Sequence, residues 1–387
     1  MTATLRIGFI PLVDAAALIV AVDKGFAAAE GLEVELVREV SWSNVRDKLN
    51  IGLFDAAHLL APVAIASSLG LGHVKVPIAA PFNLGINGNA ITVSPALHAA
   101  LMEEIDGDRF DPLATAKALA RVVAKRRKAG AEPLTFGMTF PFSTHNYQLR
   151  FWMAAAGVDP DEDVRLVVLP PPYMVDSLAN GHVDAFCVGA PWNSIAVDLG
   201  IGHILHFVSD ILDRAAEKVL AVRQAWADKN PDVVAALVRA AVKAAEFIEQ
   251  PSNLAEAARI LAQPERIGVD AEVIQRTLDG RLKISPDGTF RESARYLLVG
   301  REGAGRPDPV QAAWLYTQMV RWGQTALTPD GVKTAMAVFR PDLYDGALGR
   351  RSPTEAPAAF GAFAGPVFDP DNIRGHLEAF EVGRWKA

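Results

Sequence analysis

A chain of 387 residues allows about two domains. Half of it is apolar and 21% is charged, which supports a large core and excludes widespread disorder. The formal net charge of −7 and a pI near 5.7 argue against direct nucleic-acid binding through a basic face.

Residues 5–10 predict a first strand, 15–28 a helix ended by the turn at Gly31, and 33–40 a second strand. A helix over 44–50, a strand over 56–60 and a helix over 62–68 follow, and strands at 74–80 and 90–94 complete a first sheet. Alternating strands and helices imply a mostly parallel sheet covered on both faces. A charged helical insertion spans 97–128 and ends in Lys125, Arg126, Arg127 and Lys128, cations that suit a helix C-terminus. The pattern then restarts, with strands at 134–140, 164–169 and 183–188 and helices at 144–156, 173–179 and 191–199. Residues 203–208 lead back out. From Glu217 onward the chain reads as mostly helical, with Asn230-Pro231-Asp232 as a helix start, while residues 281–308 read as a long surface loop. No run reaches the ~20 uninterrupted apolar residues of a membrane span. The first strand begins too early for a secretory signal, so the expected location is cytoplasmic.

One passage occurs twice. Asp47, Leu49, Gly52, Asp55, Ala56, Ala61 and Pro62 recur, at a constant offset and without a gap, as Asp176, Leu178, Gly181, Asp184, Ala185, Ala190 and Pro191. Each copy reads as a helix end, a glycine stop, a short apolar strand and a proline-started helix. The expected fold is α/β, with two similar lobes and a ligand cleft between them. Residues 1–95 with 210–387 form one lobe and 96–209 the other, joined by two crossing segments.

In open parallel sheets ligands bind beyond the carboxyl ends of the strands, near helix N-termini. That rule selects the loop 141–146, where Ser143 or Thr144 caps a helix and His145 occupies its first turn; a capped helix with a merely packed histidine is the competing reading. It also selects Trp42 in the loop after the second strand, against a packing role, and Gly85, Asn87 and Asn89, against a simple turn. Lys218, among Val219, Leu220 and Ala221, is a candidate cleft cation or an ordinary exposed lysine. Asp55 and Asp184 are matched members of the repeat and read as turn-fixing residues. The only cysteine, Cys187, excludes an intramolecular disulfide and a thiolate metal cluster and reads as a packing residue. His203 and His206 lie three apart in a strand and so face opposite sides. No phosphate-loop or His-Glu-x-x-His motif occurs, and no nucleophile and base assemble, so neither catalysis nor a cofactor is expected.

Phe-Gly-Met-Thr-Phe-Pro (136–141), Ser-Thr-His-Asn (143–146), Val-Val-Leu-Pro-Pro-Pro (167–172), Phe-Cys-Val-Gly-Ala-Pro-Trp-Asn (186–193), Asp-Ala-Ala-His-Leu-Leu-Ala-Pro (55–62) and Asn-Gly-Asn-Ala-Ile-Thr-Val (87–93) resemble the nitrate- and bicarbonate-binding proteins of bacterial importers. The resemblance implies a two-lobed periplasmic-binding-protein fold of type II and an oxyanion pocket using Trp42, Asn89, His145 and Lys218. The family usually carries glutamine at the position of Asn89, so its contact is expected to be remade through water or from Asn87. A lysine at 218 resembles the nitrate binders, whereas the bicarbonate binders carry an acid there. With no export signal recognised, the chain looks like the cytoplasmic nitrate sensors of the NasS type, which hold a NasT-like RNA-binding antiterminator until nitrate or nitrite arrives. The importer subunit and a cofactor-biosynthesis enzyme on the same fold are the alternatives.

Overall fold

The computed structural model describes residues 4–350 and 361–386. Its strands, in chain order, are β1 (Leu5–Phe9), β2 (Val34–Arg38), β3 (Ala56–Leu60), β4 (Ile78–Asn87), β5 (Asn89–Val93), β6 (Thr135–Met138), β7 (Arg165–Val168), β8 (Ala185–Gly189), β9 (His203–Phe207), β10 (Ala216–Arg223), β11 (Arg281–Lys283), β12 (Phe290–Glu292) and β13 (Leu297–Leu298). They form a six-stranded sheet ordered β13-β4-β10-β3-β1-β2, a five-stranded sheet ordered β7-β6-β8-β5-β9 and the hairpin β11-β12.

The two large sheets share one plan. A parallel trio, β2-β1-β3 in one and β7-β6-β8 in the other, is flanked on the same side by an antiparallel strand, β10 or β5. The repeated passage supplies β3 and β8. Its acid does one job in both copies. Asp55 Oδ2 accepts from Arg6 N at 2.9 Å while Asp55 N donates to the Arg6 carbonyl at 2.9 Å. Asp184 Oδ2 accepts from Thr135 N at 2.8 Å while Asp184 N donates to the Thr135 carbonyl at 2.8 Å. Each aspartate therefore pins the start of its strand to the neighbouring one, and the helices before both strands end at left-handed glycines, Gly52 and Gly181, with φ of 83° and 68°.

The chain crosses between the lobes from β4 to β5 and from β9 to β10. The first crossing corrects the expected topology. The strand expected at 90–94 is β5 (Asn89–Val93) and belongs to the second sheet, and the change of lobe falls at Gly88 instead of after residue 95. Asn87 and Gly88 have φ of 62° and 92°, which bends one continuous buried run into strands of two sheets.

A second correction concerns residues 216–223, expected to open the helical part of the chain. They form β10, an inner strand hydrogen-bonded to both β3 and β4 and buried almost throughout. Burial on both faces overrides the helix propensity of Ala, Glu, Lys and Leu. The stretch read as a loop at 281–308 holds the β11–β12 hairpin and the edge strand β13. The helix predicted at 15–28 is broken by Gly25 at φ 76°, leaving Ala16–Asp23 and Phe26–Ala29. The basic end of the helix Pro112–Lys128 is partnered locally: Lys125 with Glu104, Arg127 with Asp163 and Arg126 with the Glu132 carbonyl. No helix among the described residues is long and apolar enough to cross a membrane.

Replacing Asp55 or Asp184 with alanine leaves a strand-end amide without its acceptor. Each change is expected to lower unfolding free energy by about 1–2 kcal/mol in urea titrations. Asp47→Ala, which loses only an exposed pairing with Arg46, is expected to stay within about 0.5 kcal/mol of the parent.

Candidate functional site

Charged and polar side chains from both lobes meet where the crossing strands run together. From the first lobe come Asp14 in the turn Val13–Ala15, Trp42 at the start of the helix Trp42–Asn50, His58 on β3, and Glu217 and Lys218 on β10. The second lobe contributes Asn89 on β5, Thr139 after β6, and His145 and Gln148 on the helix Thr144–Ala154. All of these side chains are buried.

Two helix N-termini reach this cluster, one from each lobe. Ser41 caps the first, accepting from Asn44 N at 3.3 Å, and Ser143 caps the second, accepting from Asn146 N at 3.1 Å. Trp42 and Thr144 are thus the first helical residues. Trp42 sits inside a helix, not in the loop expected from sequence. Unpaired N–H groups give both ends positive character.

Lys218 Nζ lies 2.9 Å from Asp14 Oδ2, 3.3 Å from Glu217 Oε2 and 5.6 Å from the centre of the Trp42 ring. Asp14 Oδ1 is 2.9 Å from His58 Nε2, and the His58 ring packs edge-on against Trp42 at 5.3 Å. Burial works against the Asp14 carboxylate, yet the Lys218 charge and the His58 hydrogen bond outweigh it and hold this acid well below the usual range. Burial likewise works against the Lys218 ammonium, and attraction to Asp14 and Glu217 overcomes it, so the amine titrates above its ordinary value. His58 and His145 go the other way. Burial lowers both, Lys218 lowers them further, and attraction from Asp14 only partly compensates.

Glu217 ties the lobes together. Its Oε1 accepts from Gln148 Nε2 at 2.9 Å, and its Oε2 lies 4.0 Å from His145 Nε2. Gln148 Oε1 accepts in turn from Asn89 Nδ2 at 3.3 Å. His145 Nδ1 is 3.0 Å from Thr139 Oγ1. Trp42 Nε1, His145 Nε2, Asn89 Oδ1 and Thr144 Oγ1 have no hydrogen-bond partner among the described residues. A buried polar atom left so costs about 1–3 kcal/mol.

Of the residues selected from sequence, the structure brings Trp42, Asn89, His145 and Lys218 together. It separates Asn87, whose Nδ2 donates to the Asp213 and Arg295 carbonyls at 3.0 Å and whose Oδ1 accepts from Ala215 N at 2.8 Å. With its amide occupied by backbone on both sides, Asn87 is a brace between the crossing segments and cannot extend the short reach of Asn89. Gln148, hydrogen-bonded to Asn89, is the longer amide in the cluster. Gly85 serves the site indirectly: a Cβ there would lie 2.9 Å from Asp14 Cβ, so glycine lets the turn carrying Asp14 pack on β4. Cys187 is buried with its thiol pushed up by burial and by Glu217. His206 is bound to Thr115 and His203 stacks on His98, away from each other.

Asp14, His58, Glu217, Gln148 and Thr139 join the site without having been expected there from sequence. Asp14 and His58 do carry a sequence signal, since each is ionisable within an otherwise apolar run, and such a residue is rarely buried without a partner.

Residues 1–262 match the NMT1-like family. The chain belongs to that family. It is 32% identical over 395 residues to the nitrate/nitrite binding protein NrtA of Synechococcus elongatus, an alignment covering 98% of this chain and 87% of that protein. It is 33% identical over 388 residues to the nitrate import ATP-binding protein NrtC of Synechocystis, covering 98% of this chain but 55% of that longer protein. The structure matches the crystal structure of the periplasmic nitrate-binding protein NrtA from Synechocystis PCC 6803 with a TM-score of 0.89 at 28% identity, covering 98% of both chains. The aliphatic sulphonate binding protein SsuA of Escherichia coli matches at a TM-score of 0.58 and 16% identity, a likeness of fold. The two-lobed periplasmic-binding-protein fold is thereby established.

Because His58 and His145 are held neutral in the folded chain, unfolding lets them bind protons once pH drops below about 6.5. Their depressed values make the unfolded state the better proton acceptor, so stability rises with pH through that window. The ligand-free protein is expected to lose melting temperature steadily from about pH 7 to pH 5 by calorimetry, and His145→Gln to flatten part of that slope.

Proposed function

We propose that the chain binds nitrate or nitrite between its lobes and serves as the substrate-binding component of an oxyanion importer, a binding protein and not an enzyme. The observation that carries this reading is the buried Lys218 ammonium beside the Trp42 ring and the unpartnered Nε2 of His145. A planar monoanion needs one nearby cation, a few directed donors and an apolar face. Lys218, the Trp42 and His145 N–H groups and the indole ring supply these in turn. Sulfate would bring a second charge for which the cluster holds no second ammonium.

The similarity to NrtA and NrtC supports the anion and favours transport. It weighs against the sequence-based preference for a sensor holding a NasT-like antiterminator, since NrtA and NrtC are named for nitrate binding and import. The cytoplasmic location expected from sequence belongs with the sensor reading. A nitrate-dependent complex with such an antiterminator would restore both.

Calorimetric titration with nitrate, nitrite, bicarbonate and sulfate tests the reading. Nitrate or nitrite is expected to bind with micromolar affinity or better, bicarbonate and sulfate far more weakly. Lys218→Ala removes a charge-assisted contact of about 1.5–3 kcal/mol and is expected to weaken nitrate binding by about ten- to a hundredfold. Heat from none of the four anions with a folded protein contradicts it.

A further inference from the structure

The cluster holds more negative charge than one ammonium neutralises. Asp14 and Glu217 both present carboxylates to Lys218, at 2.9 and 3.3 Å. Hydrogen bonding fits the ionised form of Glu217, because Oε1 accepts from Gln148 while Oε2 faces the lysine. The remaining titratable groups of the cluster are His58 on β3, His145 on the helix Thr144–Ala154, the Cys187 thiol on β8 and the buried Tyr296 hydroxyl near Asp14 and Cys187. Tyr147 and Arg150, on the same helix as His145, are engaged elsewhere, with Gln324 and Asp161. Adding a monoanion to this set without other change would leave three negative charges against one positive in a site closed to water, which is strongly unfavourable.

His145 is built to correct this. Its Nδ1 already faces the Thr139 hydroxyl, which accepts from an N–H as readily as it donates. Its Nε2 is unpartnered and lies 4.0 Å from Glu217 Oε2. We infer that Glu217 and His145 together make anion binding proton-linked: each bound nitrate or nitrite arrives with one proton taken from solvent onto the His145–Glu217 pair. Protonated at both nitrogens, His145 donates from Nδ1 to Thr139 and from Nε2 toward the anion, with Glu217 as its counter-charge. Glu217 is then a positioning residue that acts through His145. The inference rests on the oxyanion reading of the site.

Uptake of one proton requires affinity to fall about tenfold per pH unit on the alkaline side. The test is nitrate titration of the full chain by calorimetry, at one pH in several buffers of different ionisation enthalpy and then across pH. The wild-type protein is expected to take up close to one proton per nitrate and to weaken about tenfold for each pH unit above about pH 7. Glu217→Gln removes the surplus carboxylate, and proton uptake is expected to fall toward zero with an affinity nearly independent of pH. Nitrate binding by the wild type without proton uptake overturns the inference alone and needs no variant to fold. Uptake unchanged in Glu217→Gln also overturns it. Absence of binding by any oxyanion removes the reading beneath it, and the inference falls with that reading.

Discussion

A lysine ammonium closed off from water must be surrounded by compensating charge, and in this protein that requirement shapes the cleft. Desolvating such an ion costs several kcal/mol, which isolated packing around β10 would not offset. Asp14 and Glu217 meet the demand at Lys218, and further features follow from holding them in place. Gly85 admits the turn that carries Asp14. His58 fixes the second oxygen of Asp14 and braces Trp42. Gln148 reaches across from the second lobe to fix Glu217.

The same contacts join the two lobes. Glu217 belongs to the first lobe, while Gln148 and His145, which face it, belong to the second. Further out, Val13 N donates to the Ala190 carbonyl at 2.9 Å, and Gln324 accepts from the Tyr147 hydroxyl and donates to the Pro141 carbonyl. With the cluster buried, an anion could reach it only if these cross-lobe contacts parted. An anion bound there would add charge between groups of the two lobes, which would link its binding to how the lobes sit against each other.

The fold was legible where local pattern and tertiary role agree. The repeat exposed two matched lobes because Asp55 and Asp184 do the same work at the same place in each sheet. The strand β10 was hidden because Ala216–Arg223 is rich in residues that also favour helices, and only its burial between β3 and β4 makes it extended. The crossing at Gly88 was hidden for a related reason: β4 and β5 form one buried run, and the bend rests on the left-handed conformations of Asn87 and Gly88.

The candidate site was legible in part. Trp42, His145 and Lys218 lie together in the buried cluster, with Trp42 opening a helix and Lys218 on β10 where a helix was expected. Asn87 reads differently in sequence and in structure because an amide beside a glycine looks free, while its three backbone partners come from segments far away in the chain. Glu217 is illegible in sequence because its partners Gln148 and His145 lie in the other lobe, and only the closed cleft brings them to it. A crystal structure of the chain grown with nitrate tests the central claim most directly. The account predicts planar density in contact with Lys218 Nζ and His145 Nε2, beside the Trp42 ring. Nitrate density elsewhere, with Lys218 still enclosed only by Asp14 and Glu217, would contradict it.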